Sequence, residues 1–241
     1  LGPCLADDMG LGKTIQLLAM LLYERGPDAD GNPVVLAPTL LVVPMSIVGN
    51  WTREAQRFAP SLRVLVHHGT DRKTGEAFLD AALKSDLVVT TYALVNRDLE
   101  QLSKVGWHRV VLDEAQNIKN PSAKQSRAVR SLDAPRRIAL TGTPLENRLS
   151  ELWSILDFCN PGLMGGGEEF RRTFAVPIER YHDKGRSRQL KGLVRPFILR
   201  RLKTDPSVIT DLPEKIEGKE FCRLTSEQAT LTAGVGNIVL A

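Results

Sequence analysis

Residues 7–14, close to the start of the chain, have the residue types and the spacing of a phosphate-holding loop. Gly10 and Gly12 allow the backbone to turn so that consecutive amide N–H groups face an anion. Lys13 adds a mobile positive charge, and the hydroxyl of Thr14 is suited to Mg²⁺. The strict motif G-x-x-x-x-G-K-[ST] has glycine where this chain has Asp7. Taken alone, the stretch indicates phosphate binding, with a glycine-rich turn and an incidental lysine as the alternative.

Two adjacent carboxylates follow the apolar residues 110–112 about 100 residues later, as Asp113 and Glu114. At the end of a buried strand, one acid can hold the water shell of Mg²⁺ while its neighbour takes a proton from an attacking water. A solvated acid pair that opens a loop is the alternative. A strand-terminal acid pair in the same chain as a phosphate loop favours the catalytic interpretation.

A third stretch, Thr141-Gly142-Thr143, places two hydroxyl residues around a glycine between an apolar run and a helical pattern at residues 149–158. Threonine, glycine and proline are also the residues of an ordinary turn that caps a helix. By itself this stretch is therefore weak evidence for a functional site.

Short apolar runs alternate with amphipathic segments and indicate the elements that hold these residues. Strands are predicted at residues 40–43, 63–66, 87–90, 110–113 and 138–140. Helices are predicted at residues 15–24, 47–59, 74–83 and 121–132, the last with Asn120 as its N-cap and Pro121 at its first position. This alternation predicts an α/β fold with a mainly parallel sheet between helices, whose ligands gather at the carboxyl ends of the strands.

Composition limits the class of protein without naming a function. The 241 residues carry a net charge of +4 and a pI near 9.1, which permits a polyanionic partner but does not require one. Cys4, Cys159 and Cys222 are odd in number and lack CxxC spacing, which favours a reducing compartment, with the cytoplasm as the default. No apolar run reaches the roughly 18 residues needed to span a bilayer, so no membrane partner is expected.

Taken together, these stretches resemble the Swi/Snf-like DNA-dependent ATPases of helicase superfamily two. The matching stretches are DDMGLGKTIQ at 7–16, LVVPMSIVGNW at 41–51, TTY at 90–92, DEAQNIKNP at 113–121, LTGTPLENRLSELWSILDF at 140–158, PFILRRLKTD at 196–205, LPEK at 212–215 and LTSEQ at 224–228. In this group Asp7 in place of the first glycine is usual. The resemblance implies a RecA-like P-loop domain with a helical insertion.

The resemblance also implies roles for individual residues. ATP would be bound by Asp8, Met9, Gly10, Leu11, Gly12, Lys13, Thr14 and Gln116, and Mg²⁺ by Thr14 and Asp113. Lys13 would contact the β- and γ-phosphates, Glu114 would activate the attacking water, and Thr141, Gly142 and Thr143 would couple the nucleotide state to DNA. Pro44, Asn50, Trp51, Thr90, Thr91, Tyr92, Arg200 and Arg201 would lie towards a DNA backbone, although Trp51 could equally be a core residue. Gln116 stands where many relatives carry His, which leaves open how the second motif communicates with the third.

The resemblance divides the chain into three parts. Residues 1–158 would form the first RecA-like lobe, and residues 159–204 a helical protrusion with a flexible joint at 165–167 and a mostly helical segment at 168–203. The protrusion ends in a basic run, made of Arg186, Arg188, Lys191, Arg195, Arg200, Arg201 and Lys203. Residues 205–241 would hold a returning strand at 217–223, a helix capped by Thr225 and Gln228, and the start of a linker to a second lobe missing from this chain.

The expected function is that of a DNA-stimulated ATPase that moves on double-stranded DNA and remodels or displaces protein–DNA complexes. The first lobe by itself is expected to be nearly inactive, because relatives complete catalysis with arginines from the second lobe. A nucleoid or nuclear location would follow from such a role. Two alternative functions remain. A small-molecule or nucleotide kinase would be revealed by phosphoryl transfer to an added metabolite. A non-catalytic DNA-binding scaffold would fail to bind ATP.

Overall fold

The computed structural model describes residues 2–32, 34–145, 148–205 and 207–208, and its centre is a seven-stranded sheet. The strands are β1 (Cys4–Leu5), β2 (Thr39–Val43), β3 (Val64–Val66), β4 (Leu87–Thr91), β5 (Arg109–Leu112), β6 (Arg137–Leu140) and β7 (Ile198–Leu199). Their order across the sheet is β3-β4-β2-β5-β6-β1-β7, and every pairing is parallel. The five strands predicted from the sequence and the α/β class are confirmed, with bounds that differ by one residue at most.

Helices cover both faces of this sheet, as the apolar strands predict. They are α1 (Lys13–Glu24), α2 (Val48–Phe58), α3 (Gly75–Leu83), α4 (Tyr92–Arg97), α5 (Leu99–Leu102), α6 (Lys124–Ser131), α7 (Leu149–Cys159), α8 (Gly167–Phe170), α9 (Val176–Tyr181) and α10 (Lys184–Val194). Helices α1 and α2 pack on one face against Leu41 and Val43, while helices α3 to α7 pack on the other against Leu40 and Val42. Strands β2, β4 and β5 are therefore buried along their whole length.

The start of helix α6 corrects one prediction. The helix begins at Lys124 rather than at Pro121, so Asn120 is not its N-cap. The side chain of Asn120 instead accepts hydrogen bonds from the backbone N–H and the hydroxyl of Ser122, at 3.1 and 2.7 Å. Asparagine can stabilise a tight turn in this way, and here that local bond competes successfully with helix formation.

The protrusion packs on helix α7 through its own apolar cluster, which includes Leu152, Leu156, Phe170, Phe174 and Leu190. The predicted joint at residues 165–167 lies against Trp153, whose indole N–H donates to the carbonyl of Gly165 at 3.1 Å. A Cβ atom at residue 167 would lie 3.3 Å from the same indole, so a larger residue there would need the indole to shift by a few tenths of an ångström. The flexibility of this joint stays a prediction.

Residues 168–203 were expected to be mostly helical, and this prediction is confirmed, because helical turns cover the stretch from Gly167 to Phe197 except for a break at residues 182–183. Ile198 and Leu199 then form an edge strand, β7, which the sequence did not predict and which pairs with β1 in parallel. The chain thus returns to the sheet immediately after the protrusion.

Residues 1–208 form one compact unit, and the division at residues 158 and 204 stays a prediction. The predicted strand at 217–223 and the predicted capped helix that follows it lie outside the described residues. In the described part of the chain, no helix combines the length and the apolar character needed to cross a bilayer.

Candidate functional site

The loop between β1 and α1 contains the predicted phosphate-holding residues, and its backbone has the geometry of such a loop. Gly10 and Gly12 have φ angles of 82° and 76°, which lie in the left-handed region that favours glycine. Gly12 is the N-cap of α1 and offers no side chain to the first helical N–H groups, and the first turn of α1 carries no acidic residue. These N–H groups and the positive end of the helix dipole therefore remain available to an anion.

Lys13 is the first residue of α1, and its side chain folds back over the loop. Its ammonium group donates to the carbonyls of Asp7 and Asp8, at 2.6 and 3.3 Å. Both contacts are with neutral acceptors, which phosphate oxygens can replace with a stronger charge-assisted bond. Lys13 is thus held at the loop and poised for a phosphate group.

A cavity of about 780 Å³ opens above the loop and brings the first and second motifs together. The predicted residues on its wall are Met9, Gly10, Gly12, Lys13, Thr14, Asn50, Trp51, Asp113 and Glu114. Sequence reasoning missed the remaining residues, which are Ile15 of α1 and Ile47, Arg53, Glu54, Arg57 and Phe58 in and beside α2. The polar face of α2 could have indicated that this helix lines a binding site, but a polar face is also expected of any helix that is exposed to solvent.

Asp113 stands at the carboxyl end of β5 and is almost fully buried. Burial raises the pKa of its carboxyl group, and hydrogen bonds from the Trp51 indole and the Glu114 backbone N–H oppose that effect. The indole N–H lies 2.7 Å from Oδ2 and the backbone N–H lies 2.8 Å from Oδ1. The hydroxyl of Tyr92 donates to the carbonyl of Asp113 at 2.7 Å, so three bonds fix this residue in place.

Glu114 is joined to the third motif by a chain of side-chain hydrogen bonds. Its φ angle of 48° is left-handed, which is unusual for a residue with a side chain and is frequent at functional sites. The Gln116 amide donates to its carboxylate at 2.6 Å and accepts from the Thr141 hydroxyl at 2.8 Å. The Thr141 hydroxyl also accepts from the backbone N–H of Thr143 at 3.1 Å. The second and third motifs are therefore in direct contact through Gln116.

Four residues predicted to face DNA turn out to be internal. Trp51, Thr90, Thr91 and Tyr92 are no more than 4% exposed, so their side chains cannot touch a DNA backbone in this conformation. Trp51 and Tyr92 instead hold Asp113, as described above. This burial favours the structural alternative for Trp51, and the DNA-facing prediction for these four side chains is corrected.

Two further DNA-facing predictions concern Pro44 and Asn50. Pro44 is half-buried, while Asn50 is exposed at the cavity wall and accepts a hydrogen bond from Arg53. Their predicted approach to DNA stays a prediction.

Arg200 and Arg201 lie against the phosphate loop. Arg201 forms an ion pair with Asp7, and Arg200 donates to the carbonyls of Ala6 and Gly142, at 2.9 and 3.1 Å. Local sequence patterns could not predict the contact of Arg201 with Asp7 or that of Arg200 with Ala6, because each pair of residues is 194 positions apart in the sequence. The two guanidinium groups are therefore engaged within the lobe, while 41% of the Arg200 side chain and 39% of the Arg201 side chain stay exposed. Their predicted approach to DNA stays a prediction.

The oxygen ligands present at the cavity suit a hard divalent cation that also binds phosphate. Asp113 and Thr14 share the cavity wall, and no group of three or more His, Cys, Asp or Glu residues occurs among the described residues that could hold a metal. Mg²⁺ is commonly held by one or two protein oxygens together with water and substrate phosphates. Such a cation fits this site as a companion of a bound phosphate chain.

A parallel sheet with a phosphate loop after one strand and a paired acid after another is the architecture of a phosphate-loop domain of the RecA-like type. Comparison with known proteins is more specific, because the model of the SNF2-related domain matches residues 1–232. The chain therefore belongs to the SNF2-related domain family, which confirms the resemblance drawn from the motifs.

Similar proteins support the same family. YwqA of Bacillus subtilis is 50% identical over 230 residues, which cover 95% of this chain and 24% of YwqA. The TATA-binding protein-associated factor mot1 of Schizosaccharomyces pombe is 38% identical over 244 residues, or 94% of this chain and 12% of mot1. The DNA excision repair protein ERCC-6 of Homo sapiens is 35% identical over 246 residues, or 94% of this chain and 16% of ERCC-6.

The fold is that of a solved structure, the Sulfolobus solfataricus SWI2/SNF2 ATPase core in complex with dsDNA. The TM-score is 0.76 at 45% sequence identity, and the match covers 99% of this chain and 48% of the solved one. A second structure of the same core domain matches with a TM-score of 0.74. This chain thus spans about half of those cores and a quarter or less of the curated relatives named above.

Proposed function

We propose that this chain is the ATP-binding first motor lobe of a DNA-stimulated ATPase that moves on double-stranded DNA and remodels or displaces protein–DNA complexes. The observation that carries the proposal is one cavity lined by Lys13, Thr14, Asp113 and Glu114, with Gln116 connecting its acid pair to Thr141. The residues that would bind phosphate, hold a metal ion and activate water therefore line the same cavity. Phosphoryl transfer needs this combination of positioning and charge.

The residues would divide the work as follows. Lys13 would leave its carbonyl partners for the β- and γ-phosphates of ATP, while Thr14 and Asp113 would hold Mg²⁺. A bound Mg²⁺ ion supplies charge that stabilises the phosphate oxygens as the bond to the leaving group breaks. Glu114 would orient or deprotonate the attacking water, and its bond to Gln116 keeps its carboxylate at the cavity. Asp8, Met9, Gly10, Leu11 and Gly12 would shape the cradle around the phosphates.

Double-stranded DNA is the proposed partner outside the lobe. It rests on the similarity to a SWI2/SNF2 ATPase core whose structure was solved with dsDNA. A second RecA-like lobe is proposed as the catalytic complement, because this chain matches 48% of that core. An arginine supplied across such a cleft is worth about 10³ to 10⁵ in rate, so the first lobe by itself should turn over slowly. A protein bound to DNA is the proposed load, and the nucleoid or nucleus the proposed location.

The two alternative functions lack the support that this proposal has. A small-molecule or nucleotide kinase would share the phosphate loop, but it would not account for the match to the SNF2-related domain. A non-catalytic scaffold would not need Lys13, Asp113 and Glu114 on the wall of one cavity.

Calorimetry with Mg·ATP tests the first step of the proposal. Lys13→Ala removes a charge-assisted contact worth about 1.5–3 kcal/mol, so the affinity should fall by about ten- to a hundredfold. Lys124→Ala is a matched control, because Lys124 is an exposed lysine that also begins a helix, away from the cavity. Equal affinity in the wild type and in Lys13→Ala would contradict ATP binding at this loop.

A further inference from the structure

The carboxylate of Asp7, at the position where the strict loop motif has glycine, is completely buried. Arg201 surrounds it with donors. The backbone N–H of Arg201 lies 2.9 Å from Oδ1, and its Nε lies 3.2 Å from Oδ1 and 3.1 Å from Oδ2. Burial by itself raises the pKa of Asp7, but the hydrogen bonds from Arg201 and Gln16 outweigh it and hold that pKa below its ordinary value. The loop therefore begins with a charged and fully partnered residue.

The same guanidinium group also reaches the far side of the loop. Its Nη2 donates to the side-chain carbonyl of Gln16 in α1 at 2.6 Å. The amide nitrogen of Gln16 in turn donates to the carbonyl of Leu11 at 3.0 Å. Arg201 thus connects residue 7, where the loop begins, with residue 11, which immediately precedes Gly12 and the phosphate-facing helix terminus.

Backbone bonds join residues 198–203, which we name the clasp segment, to the same loop. Ala6 donates to the carbonyl of Leu199 at 2.7 Å, and Asp8 donates to that of Arg201 at 3.1 Å. The backbone N–H of Lys203 donates to the carboxylate of Asp8 at 3.1 Å. These bonds continue the pairing of β1 with β7 beyond the end of both strands. These hydrogen bonds therefore connect the position of the clasp segment to the conformation of the first residues of the loop.

We infer that Arg201 is a positioning residue for nucleotide binding, which acts on the phosphate loop through Asp7 and makes nucleotide binding and docking of the clasp segment stabilise each other. The inference deepens the proposed function and rests on it. Reciprocity is required by thermodynamic linkage, since a segment that improves the loop for a nucleotide must itself be held more firmly by that nucleotide. Arg201 need not touch the nucleotide, because the hydrogen-bond partners of its guanidinium group belong to the loop and to α1.

Mg·ATP affinity of the complete protein tests this positioning role through a double-mutant cycle. Arg201→Ala should raise the Kd about tenfold, and Arg201→Lys should raise it less, because lysine keeps the charge but loses the two-pronged geometry. Asp7→Asn combined with Arg201→Ala should be no worse than Arg201→Ala alone, because both changes interrupt one pathway. If the two losses instead multiply, Arg201 acts independently of Asp7 and the inference is overturned.

A matched control separates positioning from general stability. Arg63 pairs with the buried Asp86 through Nε at 3.0 Å, Nη2 at 2.9 Å and its own backbone N–H at 2.8 Å, much as Arg201 pairs with Asp7. Asp86 precedes β4 and therefore lies at the amino edge of the sheet, opposite the cavity. Arg63→Ala should lower the melting temperature without changing the Kd. An equal rise in Kd for Arg63→Ala and Arg201→Ala would reduce the effect of Arg201 to lost stability.

Amide hydrogen exchange tests the reciprocal effect in the wild type. Peptides that contain residues 198–203 should exchange more slowly with Mg·ATP than without it, and Lys13→Ala should abolish the difference at the same ATP concentration. Unchanged exchange in a wild type that binds Mg·ATP would overturn the inference and leave the proposed function standing. A wild type that does not bind Mg·ATP would overturn both.

Discussion

The side-chain amide of Gln116 connects two motifs that are 25 residues apart. One amide has both a donor and an acceptor, and here the donor goes to Glu114 while the acceptor takes the hydroxyl hydrogen of Thr141. A neutral histidine also has one donor and one acceptor, on its two ring nitrogens. The structure therefore shows how Gln116 joins the second motif to the third, a question that the sequence left open.

Replacing Gln116 tests whether this bridge couples ATP hydrolysis to DNA. Gln116→Leu keeps a similar volume but removes both hydrogen bonds, so we expect near-normal Mg·ATP affinity and a DNA-stimulated rate that falls about tenfold, or 1.4 kcal/mol. Gln116→His should retain most of the stimulation. Steady-state ATPase rates with and without duplex DNA measure both effects, and full stimulation in Gln116→Leu would show that the bridge is not the coupling element.

The role of Glu114 in catalysis can be separated from nucleotide binding by replacing one carboxylate oxygen with an amide nitrogen. Glu114→Gln keeps the shape and can still accept the hydrogen bond from Gln116, but it loses the proton acceptor. General base catalysis contributes typically 10²- to 10⁴-fold, so we expect turnover to collapse by about that factor while the Kd for Mg·ATP stays nearly unchanged. The exposed Glu100→Gln serves as the control. A Kd that rises as much as the rate falls would assign Glu114 a structural role.

Among the elements, those fixed by local patterns were predictable and those fixed by distant partners were not. Strands β2 to β6 are apolar runs bounded by turn residues, and their alternation with helices predicts their parallel order. Strands β1 and β7 are two residues long, and each exists because it pairs with a neighbour distant in sequence. A two-residue strand has no periodicity to detect.

The same distinction applies to the site. The phosphate loop and the acid pair were predictable, because their chemistry depends on consecutive residues. The bonds from Trp51 to Asp113 and from Arg201 to Asp7 join residues 62 and 194 positions apart, and no local pattern reports them. Helix α6 shows the opposite failure, because a plausible local N-cap at Asn120 was used for a turn instead.

The edge formed by β3 and β4 should be sensitive to acid because of His67. Burial lowers the pKa of its imidazole, although Asp98 lies 3.0 Å from Nε2 and opposes that effect, while Arg72 and Arg97 reinforce it. A pKa that is lower in the folded than in the unfolded chain means that stability is fully present above the unfolded pKa of about 6.5 and is lost as the pH falls through the folded value.

Thermal or urea unfolding between about pH 7 and pH 5 measures this effect. We expect the wild type to lose unfolding free energy over this range because of His67. His67→Gln should flatten that part of the curve. His108 also has a lowered pKa and will leave a residual slope. An identical slope in His67→Gln and the wild type would contradict the assignment.

Across the whole molecule, the basic run at the end of the protrusion divides into two groups with different surroundings. Arg200, Arg201 and the backbone of Lys203 face the phosphate loop. The other group lies on α10 and at its C-cap, where Arg188, Lys191 and Arg195 follow one face together with Lys184, which precedes the run, because the four positions are separated by four, three and four residues. Arg186 of the run lies two residues from Arg188 and therefore off this face. Lys184, Arg188, Lys191 and Arg195 are exposed. We therefore propose the stripe on α10 as a basic surface that contacts a DNA backbone.

We expect the basic stripe on α10 to contact DNA phosphates and not the bases. Binding to phosphates releases counterions, so the logarithm of the affinity falls linearly with the logarithm of the salt concentration, by about 0.9 for each contact. Replacing Lys184, Arg188 and Lys191 with Gln should lower the affinity equally for duplexes of different sequence and reduce that slope by up to about 3. Fluorescence anisotropy at several salt concentrations measures both quantities.

A charge-matched control decides whether position or total charge is responsible. Replacing Lys73, Lys84 and Lys104 with Gln removes the same three charges from exposed residues outside the protrusion. If DNA binds the stripe, this control should change the slope far less than the α10 variant, because counterion release requires charges that lie against phosphates. Equal losses in both variants would mean that only the net charge of the protein matters, and a marked preference among duplexes of equal length at fixed salt would mean that bases are read directly.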